Sequence, residues 1–227
     1  VTYLVDRSTG AVESRMADII LSTSTTARLR AHDAALATDG TLRIAGLEQS
    51  GGNNSVPNIT YAVVGSSFTT VPTLRTVQPA VITQEPPAIL VSGSDPVWIA
   101  YAGEDGAAVE RIDGPTLAVP AIGGEVFVRN IDLALNPQVP DQLLVLVQQA
   151  SGSTLENLRG TLQFFTAPWD LAALMPFDGG AVPSSVLPSV DNGPGNVVAG
   201  IGAIHVIWQE NGIGQNRNTR ILEARTN

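Results

Sequence analysis

A short apolar segment recurs four times along this chain, as Leu42-Arg43-Ile44-Ala45-Gly46, Val97-Trp98-Ile99-Ala100-Tyr101, Leu143-Leu144-Val145-Leu146-Val147 and Ile204-His205-Val206-Ile207-Trp208. In an extended strand the first, third and fifth residues face one side and the second and fourth the other. Here both sides are mostly apolar. Such a strand must be covered on both faces, as when small sheets pack face to face around an axis, whereas a hairpin with one wet face would alternate. Successive copies begin 55, 46 and 61 residues apart, room for one small antiparallel sheet each, the range in which propeller-like arrays are found. The expected fold is all-β: a β-propeller-like array of about four antiparallel blades, forming one domain over residues 1–227, with repeats near 1–70, 71–120, 121–180 and 181–227.

With the recurring segment named strand B, the remaining strands fall into place around it. Each copy is followed by a polar loop (48–55, 103–106, 148–155 and 209–218) and then by a second extended run, strand C, at 59–64, 107–112, 161–165 and 219–224. Weaker runs ahead of strand B, at 31–37, 88–92, 125–133 and 196–200, supply an inner strand A. Proline-bearing stretches at 70–79, 115–120 and 182–188 mark the outer strand and the crossing to the next repeat, because proline is tolerated at a sheet edge or in a turn. Residues 18–20 and 168–175 read as extended runs with a bend, or as single helical turns. The opening Val1-Thr2-Tyr3-Leu4-Val5 matches Ile59-Thr60-Tyr61-Ala62-Val63, so the chain starts and ends in the same phase of the repeat. Two arrangements are open. Either the repeats close on themselves, with residues 1–5 filling the outer edge of the blade that ends at Ala224, or the chain is a segment of a larger ring completed by association.

Composition narrows the partners. All 12 basic residues are Arg, set against 21 acids, and the net charge of −9 opposes phosphate-mediated nucleic-acid binding and docking on anionic lipid. There is no cysteine, which removes disulfides and thiolate metal sites, and no apolar run of about 18 residues that would span a membrane as a helix. Charged residues are 15% of the chain, against roughly 25% in typical soluble domains, while Gly and Pro number 22 and 15. This strand-and-turn composition, rich in Thr, Ser, Asn and Gln, fits a secreted or cell-surface protein. The first residue is Val1 rather than Met, as in a processed chain or a piece of a longer one.

The run Ala203-Ile204-His205-Val206-Ile207-Trp208-Gln209-Glu210-Asn211-Gly212, followed by Arg220-Ile221-Leu222-Glu223-Ala224, resembles the repeat of sialidase-like β-propellers, and residues 97–106 resemble it nearly as well. The resemblance lies in strand-loop-strand patterning and implies the fold. Sialidase repeats often carry a Ser-x-Asp-x-Gly-x-x-Trp box. Here Asp105-Gly106 lacks the Ser and Trp, and Ser94-Asp95-Pro96 has proline where the turn would follow. The arginine triad, Tyr-Glu pair and acid Asp of those enzymes find no counterpart set, so glycosidase activity is not implied.

Several residues are candidates for a site. Antiparallel order puts the loops after strand B on one rim, where Glu48, Glu104, Asp105 and Glu210 would form an acidic ring for a cation or basic partner, against the plainer reading of solvated loop carboxylates. Asp191, Asn192 and Asn196 lie in an oxygen-rich stretch that reads first as a turn and second as a calcium loop. His205 and Trp98 replace each other in the repeat and, with Trp208, are expected in inter-blade packing. Trp169, between Pro168 and Asp170, reads first as a blade-closing core residue and second as an exposed aromatic contact. His32-Asp33 could form a base and its orienter, and Asp33 with Asp132 is the least implausible acid pair for glycoside hydrolysis. No phosphate loop, paired metal-spaced histidines or nucleophile elbow is present. The expected role is a non-enzymatic binding or assembly module making protein contacts, self-association included, through rim loops and edges. The alternative is a carbohydrate-binding or degenerate glycosidase-like propeller. No cofactor is expected, with calcium the one open candidate.

Overall fold

The computed structural model describes residues 2–5, 8–9, 12–16, 28–49, 56–65, 73–78, 86–103, 106–119, 127–151, 159–173, 175–176, 187–190, 192–200, 203–211 and 219–225. These residues form an all-β structure with five antiparallel sheets among them. A hairpin of β1 (Thr2–Val5) and β2 (Val12–Met16) comes first. The first four-stranded sheet orders β3 (Arg28–Leu36), β4 (Leu42–Gln49), β5 (Asn58–Val64) and β6 (Thr73–Gln78). The second repeats this with β7 (Ala88–Val91), β8 (Val97–Gly103), β9 (Gly106–Arg111) and β10 (Thr116–Val119). In the third, β11 (Phe127–Leu135) pairs with β12 (Gln142–Ser151) and β12 with β13 (Arg159–Pro168), whose far edge takes both β14 (Met175–Pro176) and β15 (Leu187–Val190). The fourth is β16 (Asn192–Gly200), β17 (Ala203–Asn211) and β18 (Thr219–Arg225).

Each recurring apolar segment is the second strand of its sheet, β4, β8, β12 or β17, as its two-sided character requires. Strand β8 shows how both faces are used. Val97, Ile99 and Tyr101 join Ala45, Leu47, Ile59 and Tyr61 of the first sheet in one core cluster. The intervening Trp98, Ala100 and Ala102 join Ile131, Leu133, Leu143, Val145, Val147 and Phe165 of the third sheet in another. In β12, Leu143 to Val147 are all fully buried, and each such aliphatic side chain contributes roughly 1.5–3 kcal/mol. The first strands β3, β7, β11 and β16 lie against one another in succession on the inner side of the sheets.

Turns between first and second strands also hold the sheets in sequence. The Thr38 N–H donates to the Gly93 carbonyl at 2.8 Å, and the Thr38 and Ser94 hydroxyls are 3.0 Å apart, so the turn of the first sheet is bonded to that of the second. The Asp39 carboxylate accepts from the Thr41 N–H and hydroxyl at 2.9 and 2.6 Å, and Gly40 supplies the positive φ of 79° that the turn needs.

One expectation needs correction. Residues 1–5 do not fill the edge beside β18. β1 pairs with β2 in a sheet of its own, Tyr3 opposite Arg15. The physical reason is phase: β1 and β18 both correspond to strand C, and a strand C pairs outward with a strand D, which β2 provides. Around residues 168–175 the extended run with a bend is found, with no helix among the described residues. The chain turns at Trp169 and Asp170, closed by the Leu171 N–H donating to the Pro168 carbonyl at 2.9 Å, and β14 returns along β13. The stretch 18–20 lies outside the described residues.

If two-sided burial of the second strands holds the sheets together, Leu144→Ala at a fully buried position of β12 costs about 2–5 kcal/mol. Val139→Ala, at an exposed turn position, changes stability by less than about 0.5 kcal/mol. Urea unfolding followed by tryptophan fluorescence measures both.

Candidate functional site

Antiparallel register defines one position that the sequence alone did not connect. Asp33 lies opposite Ala45, Ala88 opposite Ala100, Asp132 opposite Leu146 and Asn196 opposite Ile207, and these four partners are the same step of the recurring segment. Three of the four inner strands thus place a carboxylate or amide residue at one level of the ring. The similarity of β3 and β11 goes further, because each carries a β-bulge, at Arg30 and Arg129, three residues before its Asp.

The two acids are fixed by backbone. Asp33 accepts the Ala34 N–H on Oδ1 at 2.8 Å and the Ile89 N–H of the next inner strand on Oδ2 at 2.9 Å. Asp132 Oδ1 accepts the Leu133 N–H at 2.9 Å. Both residues are half-buried. The proposed pairing of His32 with Asp33 is not made: His32 is exposed on the other side of the strand, and the Asp33 oxygens go to peptide N–H groups.

The seam between the second and third sheets is aromatic. Trp98 and Trp169 meet edge to face at 5.4 Å between ring centroids, and Trp98 Nε1 donates to the Trp169 carbonyl at 3.2 Å. Trp98 is therefore inter-blade packing, as expected. Trp169 is half-buried against that core rather than standing free as an exposed contact, because its ring gains more by covering Trp98 than by facing water. Its buried Nε1 has no hydrogen-bond partner among the described residues.

Between the first and second sheets, the Arg43 guanidinium donates to the Tyr61 hydroxyl at 3.1 Å and the Ser94 carbonyl at 3.4 Å, and lies 3.5 Å from Asp39. Hydrogen bonds from Thr41 hold the Asp39 carboxyl below its ordinary range, helped by Arg43. Burial raises the Tyr61 phenol, with Arg43 opposing. Burial, reinforced by the neighbouring Glu110 carboxylate at 3.5 Å, pushes Tyr101 up to about 12.

Of the four acids expected on one rim, the structure places two, both within strands. Glu48 is the seventh residue of β4, 5% exposed, rather than a solvated loop carboxylate. Glu210 belongs to β17, opposite Asn192 and Arg220, because pairing extends past the recurring segment. Glu104 and Asp105 lie outside the described residues. Of the oxygen-rich stretch, Asn192 and Asn196 belong to β16, which absorbs the Gly-Pro step as a bulge, and Asp191 lies outside the described residues. Among the described residues no group of three His, Asp or Glu could hold a metal ion. His205 is in β17, opposite Val198 and Arg225.

No protein-family profile matches the chain, and no curated protein sequence does. Solved structures do match in fold. An exo-1,5-α-L-arabinanase from a bovine ruminal metagenomic library superposes with a TM-score of 0.51 at 10% identity, covering 86% of this chain and 73% of the enzyme. The Bombyx mori GH32 β-fructofuranosidase gives 0.52 at 11% identity, over 86% of this chain but 45% of that one, so the chain spans less than half its length. The GH43 endo-arabinanase from Bacillus licheniformis gives 0.50 at 10% identity, over 86% and 72%. The fold class is thus a β-propeller similar to the five-bladed glycoside hydrolases of families 43 and 32. Propeller architecture was legible in the repeat. The particular likeness to sialidases gives way to this one.

A phenol whose folded pKa is raised loses its proton more readily when unfolded, so its contribution to stability is complete below pH 10 and is lost as pH rises towards about 12. Alkaline unfolding followed by circular dichroism, with phenolate absorbance at 295 nm, should show Tyr101 ionising with or after the loss of structure. In Y101F the fall in stability between those pH values should be shallower than in the parent chain.

Proposed function

We propose that the protein is a carbohydrate-binding propeller, built on the scaffold of the arabinan- and fructan-cleaving enzymes but without their hydrolytic chemistry. The observation that carries the reading is the likeness in fold over 86% of the chain to enzymes acting on arabinan and β-fructofuranosides. Loss of hydrolysis is inferred from Asp33. Of the acids that could form a pair across the ring it is tied to two peptide N–H groups, which leaves it poorly placed to exchange a proton with substrate. A polymeric glycan as ligand places the protein outside the cell or on its surface.

A second reading, a module making protein contacts, is favoured by the fourth sheet. Among the described residues β18 pairs on one side only, with β17, and an open edge can accept a strand from a partner.

Isothermal titration of the full chain with arabino- and fructo-oligosaccharides, together with a reducing-sugar assay, tests the proposal. Binding of either series without reducing-end release is the expected result. Absence of binding to both, with a shift of the purified chain to a defined oligomer, replaces it by the second reading, and sugar release that D33N abolishes contradicts the loss of hydrolysis.

A further inference from the structure

The bond from Ile89 to Asp33 joins the backbone of one inner strand to a side chain of the one before it. It is a charge-assisted bond to a peptide N–H that the ladder within β7 does not use. The same construction is laid out again two sheets later. β11 repeats β3 in its bulge, in the position of its Asp and in the bond from the following N–H, Ala34 to Asp33 at 2.8 Å and Leu133 to Asp132 at 2.9 Å.

We infer that Asp132 accepts a second bond, from the Val197 N–H of β16, as the counterpart of Asp33 with Ile89. The choice of Val197 follows from register. Ile89 pairs with Ile99 in β8, two steps into the recurring segment that begins at Val97. The same step in β17, counted from Ile204, is Val206, and Val206 pairs with Val197. The alternation of faces agrees. Asp132 lies opposite Leu146, whereas Leu143, Val145 and Val147 of that strand belong to the core shared with the second sheet, so the Asp132 side of β11 is the side turned towards β16, which packs against it.

Carboxylate latches then join the sheets in two pairs, first to second and third to fourth. The junction between those pairs has no latch, since β7 carries Ala88 at the corresponding position, and it is held instead by the Trp98–Trp169 contact. The device accounts for two acids in the inner ring that the carbohydrate reading does not employ, and it stands whether or not that reading does.

Amide hydrogen exchange resolved by NMR on the full chain tests the inference. In D132A the Val197 amide should exchange at least about tenfold faster while Ile89 keeps its parent rate, and in D33A the two should trade places. An unchanged Val197 rate in D132A overturns the proposal. If either variant fails to fold, the through-bond scalar coupling between the Val197 nitrogen and the Asp132 carboxyl carbon can be sought in the unaltered protein. Its detection supports the latch, and its absence where the Ile89–Asp33 coupling is seen overturns it.

Discussion

Strands that are apolar on both faces cannot lie at a surface, and everything else in this fold follows from having four of them. Each must have a sheet before it and a sheet after it. Strand β8 meets the demand by sending Val97, Ile99 and Tyr101 one way and Trp98, Ala100 and Ala102 the other. A one-residue slip in its pairing would exchange the two sets and place an indole where the first sheet leaves room for smaller groups. Register is thereby fixed by the size of the residues as well as by their polarity. The chain thus stabilises a 227-residue fold without a single disulfide.

Where the sheets converge on the axis, apolar packing gives way to a polar device. On the inner strands small or short polar residues, Asp33, Ala88, Asp132 and Asn196, occupy the same level. A short carboxylate satisfies N–H groups that the neighbouring ladder leaves over. Asp33 holds strands together by accepting the Ile89 N–H of the next inner strand.

The sequence made the architecture legible because a two-sided apolar strand is visible in a five-residue window, and all four copies landed on second strands. Its spacing also located strands A and C. The phase match between residues 1–5 and 59–63 was legible too, yet it argued against the edge position first expected for β1, since a strand in phase C needs an outward neighbour. The site was harder to read. Glu48 and Glu210 look like loop acids because pairing extends beyond the apolar segment, and no local signal gives that extension. Asp33, Asp132 and Asn196 were each visible as candidates, but their equivalence depends on pairing across the sheet, with bulges at Arg30 and Arg129 that shift the count. Trp169 was legible as a core residue or an exposed contact, and its Pro and Asp neighbours could not decide between them because the ring that covers it is 71 residues away in sequence.

The central claim is that the sheets follow one another around an axis, each covered by the next. Absence of native cysteine allows spin labels to be attached uniquely at Asp39, Asp95 and Asp141, which lie in or beside the turns between first and second strands of three successive sheets. Pairwise electron-electron distance measurements on the three double-cysteine variants should give a shorter separation for 39 with 95 than for 39 with 141, each as a single narrow distribution. A separation for 39 with 141 equal to or shorter than that for 39 with 95 would contradict the arrangement of the sheets on which the whole account rests.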